Sequence, residues 1–66
     1  MDEIDVWRSA QLLIQRHGDV AEFVACGRID SMIEKGDPAG EAAWQRILAA
    51  IKDLSRTGRK ARESLQ

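Results

Sequence analysis

The sequence predicts an all-α fold, a compact three-helix bundle, and three observations predict it. Apolar residues recur at helical spacing in three blocks. Two glycine–aspartate pairs, Gly18-Asp19 and Gly36-Asp37, separate those blocks. No segment alternates apolar and polar residues for long enough to form a strand.

The first block, about residues 3–16, places Val6, Trp7, Ala10, Leu13, Ile14 and His17 on one stripe at about 100° per residue. Asp2, Glu3 and Asp5 stand at its N-terminal end and Arg16 and His17 at its C-terminal end, both favourable to the helix dipole. Gly18 can take the left-handed conformation that ends this helix, and Asp19 can cap the next.

The middle block, about residues 20–35, is less regular. Ala25, Ile29, Met32 and Ile33 make one stripe, whereas Val20, Phe23 and Val24 fall on another side. A helix touching one neighbour early and both later fits this pattern. A break near Gly27 is the alternative, because glycine inside a helix costs about 1 kcal/mol relative to alanine.

The third block, about residues 38–55, is the cleanest. Asp37 supplies an N-cap and Pro38 occupies the first helical position, where a missing N–H costs nothing. Gly40, Ala43, Trp44, Ile47, Ala50, Ile51 and Leu54 then share one face, with Leu48 at its edge. Trp7 and Trp44 are expected to be the largest core elements, each costing about 3–5 kcal/mol on truncation to alanine. After Ser55 the periodicity is lost. The chain therefore divides into a helical domain, residues 1–55, and a frayed, flexible basic tail, residues 56–66.

Sixty-six residues make one domain, with 44% hydrophobic and 32% charged side chains, a globular composition. The tail holds Arg56, Arg59, Lys60 and Arg62 against Glu63, a net +3. With −1 overall, the remainder carries −4. Cys26 is the single cysteine, which rules out an internal disulfide, and one Cys with one His supplies half the usual zinc ligands. The acidic N-terminus is unlike a secretory signal, and no apolar run approaches the roughly 20 residues of a membrane span. A cytoplasmic protein without metal or cofactor is expected.

Catalysis needs a nucleophile, a base or paired acids that converge. His17 reads as a helix-end residue packed partly under the core, and Cys26 as a small half-buried core residue, since Arg28 alone does not make an electropositive setting for a thiolate. Gly36-Asp37-Pro38-Ala39-Gly40 is no phosphate cradle, because Asp37 would repel an anion. An enzyme is not expected.

Trp7, His17-Gly18, Phe23-Val24-Ala25, Arg28-Ile29, Gly36-Asp37, Gly40, Trp44 and Leu54 form a spacing that resembles small bacterial all-helical proteins of a domain-of-unknown-function type. The resemblance covers about residues 5–54. It implies a short cytoplasmic helical protein and some importance for His17, Arg28 and Trp44, and it brings no activity, ligand or catalytic residue.

Function by elimination is protein interaction, by self-association or by docking on a partner. Leu12, Phe23 and Leu48 lie outside the main stripes and are the candidate partner-binding residues, because clustered they would make a patch worth covering. The alternative is weak nucleic-acid binding through Arg56, Arg59, Lys60 and Arg62. That tail lacks aromatics to stack on bases. A helix-turn-helix is disfavoured, because Glu41 and Asp53 on the outward face of the third helix would repel phosphates.

Overall fold

A computed structural model describes the backbone of residues 2–65 and the side chains of residues 2–56. Helix α1 spans Glu3–His17, α2 spans Ala21–Lys35 and α3 spans Pro38–Leu65. A 3-10 turn, Gly18–Val20, lies between α1 and α2. No strand occurs among the described residues. The fold is all-helical and compact, with α1 and α2 both packed on α3 and touching each other far less.

The two glycine–aspartate junctions differ, which corrects the expected pair of like turns. At Gly36 the backbone adopts φ 70°, and two hydrogen bonds close the end of α2: the Gly36 N–H donates to the Ile33 carbonyl, and the Asp37 N–H to that of Met32. This is a Schellman end. Asp37 then caps α3, its Oδ1 accepting a hydrogen bond from the Gly40 N–H at 3.0 Å. Gly18 also takes a positive φ, 57°, yet no loop follows it. α1 ends there, its last bond running from the Gly18 N–H to the Ile14 carbonyl; the Ala21 N–H donates to the Gly18 carbonyl, and a 3-10 turn leads directly into α2. The backbone group has found its partner there, and Asp19 makes no side-chain cap. Helical turns therefore follow one another from residue 3 to residue 35 with no loop segment, broken only at Gly18 itself, whose φ of 57° and ψ of −124° are not helical. One loop, at Gly36-Asp37, and one non-helical residue, Gly18, divide the helices, where two loops were expected.

The core is small. Val6 and Ala10 of α1, Ala21 and Ala25 of α2, and Ile47, Ala50 and Ile51 of α3 are buried. Four of these seven are alanines, so the helices approach closely and gain little apolar volume each. Ile47 and Ile51 are the largest fully buried side chains. Trp7 and Trp44, expected to dominate, are half-buried and pack around the core with Leu13, Ile14, Leu48 and Leu54. An indole is too large for a gap lined by alanines and lies at its margin instead. The expected α3 face from Gly40 to Leu54 is buried or half-buried throughout.

Helix α2 passes through Gly27 without a break, and the Ser31 hydroxyl donates to the Gly27 carbonyl at 3.1 Å. α3 continues as helix past Ser55 to Leu65. Extending an existing helix needs no new nucleation, and arginine, lysine and alanine propagate it well. At about 1.5 Å per residue its 28 residues account for most of the 46 Å long axis.

Candidate interaction face on the second helix

Ala21 and Ala25 turn one side of α2 into α3, with Ile29 and Met32 half-buried beside them. Residues three, four and seven apart share a side of a helix. The side opposite the core therefore collects Phe23, Cys26, Gly27, Asp30 and Glu34, with Ile33 at its flank, and all six are exposed. Phe23 is 81% exposed and Ile33 56%. Val20, at the end of the 3-10 turn, extends the same apolar strip at 54%.

The strip is open at Gly27 and bordered by acids. A Cβ built on Gly27 would meet nothing within 4 Å, so the backbone between Phe23 and Asp30 is open to approach. Asp19, Asp30 and Glu34 are exposed around it. Of the two cations next to it in sequence, Lys35 is exposed after Glu34 at the end of α2, and Arg28 faces the other way, with its guanidinium over the Trp44 ring at 5.9 Å from the centroid.

The three residues expected to bind a partner separate. Phe23 is the most exposed of the large apolar side chains described. Leu12 is exposed too, but its shallow depression of about 270 Å³ is lined by Arg8, Gln11 and Gln15, all from α1. Leu48 is half-buried and packs against the core. Ile33 was expected in the core stripe and belongs outside with Phe23. Cys26, expected half-buried, is a free and exposed thiol on the same strip. His17 is likewise exposed at the last turn of α1, not packed under the core.

Of the basic residues, Arg56 is exposed on α3. The side chains of Arg59, Lys60 and Arg62 lie outside the described residues. A second depression, about 220 Å³, lies between Trp7 of α1 and Ala49, Ala50 and Asp53 of α3. Both depressions are open, whereas a small-molecule site encloses most of its ligand. Among the described residues no three His, Cys, Asp or Glu side chains gather to hold a metal ion, and no helix is long and apolar enough to cross a membrane. Compared with protein-family models, curated proteins and solved structures, the chain matches none.

Proposed function

We propose that the protein is a small non-enzymatic interaction module of the cytoplasm, a three-helix unit that docks on protein through the outer side of α2. It belongs, on this reading, with the small bacterial helical proteins that its residue spacing resembles. The observation that carries the proposal is Phe23. A phenylalanine four-fifths exposed in the first turn of α2 costs solubility and adds nothing to the core. Isolated exposed apolar residues are ordinary. Here Val20 of the preceding 3-10 turn stands just before Phe23, and a bare glycine surface and Ile33 follow it along α2. Aromatic anchors surrounded by polar residues are the usual centre of a protein interface.

Cys26 is a built-in reporter for that surface. The purified protein at low concentration and the same protein in native cell extract are treated with a small alkylating reagent, and the labelled fraction is followed by mass. The expected result is slower labelling in extract, with Phe23→Ser labelling at the dilute rate in both. Equal rates for the wild type in both settings, with no slowing when the purified protein is concentrated, would refute the docking face. Protection that disappears on nuclease treatment would transfer the role to nucleic acid, the second reading for Arg56, Arg59, Lys60 and Arg62.

A further inference from the structure

We infer that the occupant of the α2 face is a second copy of this chain, which lays the basic C-terminal part of its α3 along Phe23, Asp30, Ile33 and Glu34. This rests on the proposed docking role of that face and names its partner. Charge supplies the first argument. Residues 56–66 carry +3 and the rest of the chain −4, and the exposed carboxylates Asp19, Asp30 and Glu34 stand on or beside the apolar strip. Two α2 faces brought together would set those carboxylates against each other, so symmetric α2–α2 pairing is disfavoured. A cationic helix meets the same groups with attraction.

Length and chemistry also match. From Phe23 to Ile33 the strip runs about 15 Å along the helix axis, and from Arg56 to Leu65 α3 runs about 14 Å. The basic segment is poor in large apolar residues. Arginine and lysine nonetheless carry aliphatic stems that cover apolar surface, and their cationic heads are attracted to an aromatic face such as that of Phe23. The open space at Gly27 lets such a helix come close.

The segment belongs to a second copy because it cannot reach its own α2. Met32 lies against Gly40, and Arg28 lies over Trp44, so α2 and α3 run antiparallel in a fixed register. Continuing that register sets Ala21, the first residue of α2, level with Ile51, and both are buried. Residues 56–65 of the continuous α3 therefore extend beyond the end of α2. To lie on their own α2 they would have to break the helix and reverse.

The full chain is tested by sedimentation velocity over a wide concentration range. Two variants change exposed or C-terminal residues only: Asp30→Lys/Glu34→Lys makes the face basic, and Arg59→Glu/Lys60→Glu makes the segment acidic. Helical content by circular dichroism checks that both fold. The wild type is expected to associate reversibly, at least about tenfold more weakly at 500 mM than at 50 mM salt. Each variant alone is expected to stay monomeric where the wild type associates. An equimolar mixture of the two restores association, because each face then meets a segment of opposite charge. A wild type monomeric throughout, or a mixture no better than its components, would overturn the inference. If Cys26 is still protected in extract in that case, the docking face stands and its occupant is another protein; if it is not, both fall.

Discussion

The Arg28 guanidinium lies over the Trp44 ring, 5.9 Å from its centroid, and so couples α2 to α3 at the rim of a core built largely of alanine. Such a contact at a partly exposed position contributes about 0.5–1 kcal/mol. Arg28→Ala is expected to lower the unfolding free energy by that amount in urea, and Arg28→Leu to restore only its packing share. An Arg28→Ala protein as stable as the wild type would show that the contact contributes nothing.

The two helical glycines Gly27 and Gly40 should respond oppositely to alanine. A Cβ on Gly27 meets open space, so Gly27→Ala is expected to stabilise by about 0.5–1 kcal/mol through lower chain entropy. A Cβ on Gly40 would come within 2.6 Å of the Asp37 carboxylate and 2.7 Å of the Met32 sulfur. Relieving that contact displaces the cap of α3, and Gly40→Ala is expected to destabilise by about 1 kcal/mol. Thermal unfolding of the two variants side by side checks the signs.

The two aspartates of the glycine–aspartate pairs should separate as well. Asp37 accepts the Gly40 N–H at 3.0 Å, whereas Asp19 makes no side-chain cap. Asp37→Ala is expected to cost about 1 kcal/mol, and Asp19→Ala less than half of that. Equal losses in denaturant melts would contradict the difference between the junctions.

Ile47 and Ile51 are the largest fully buried side chains. Truncating either to alanine is expected to cost about 2–5 kcal/mol, much of the stability of so small a domain. Trp7→Ala should cost less than the full burial of an indole suggests, because Trp7 is only half-buried. Circular dichroism at 25 °C should find the isoleucine variants largely unfolded and the Trp7 variant folded.

The helical class, the break at Gly36-Asp37 and the inward face of α3 were all legible in the sequence. Each rests on a local rule: a left-handed glycine, a cap followed by proline, and a period of 3.6. The outward face of α2 was not legible, for an angular reason. At about 100° per residue, Ile33 lies about 80° from Ala25 and about 80° from Phe23, so periodicity alone cannot assign it to either side. The packing of α2 on α3 through Ala21 and Ala25 decides it. At Gly18-Asp19 the glycine ends α1 with a positive φ as the sequence predicts, and only the Asp19 cap is missing, because a 3-10 turn closed by the Ala21 N–H on the Gly18 carbonyl takes its place. Tryptophan size misled. A large apolar residue predicts core only where neighbouring helices leave room for it.

The central claim is that the apolar strip on α2 serves binding and is not needed for folding. The most direct test is the unfolding free energy of Phe23→Ser/Ile33→Ser, measured in urea at a concentration where the chain is monomeric. The predicted result is a value within about 0.5 kcal/mol of the wild type, as for other exposed positions. A loss of about 2 kcal/mol or more, the size expected of buried apolar side chains, would place Phe23 and Ile33 in the core and contradict the claim.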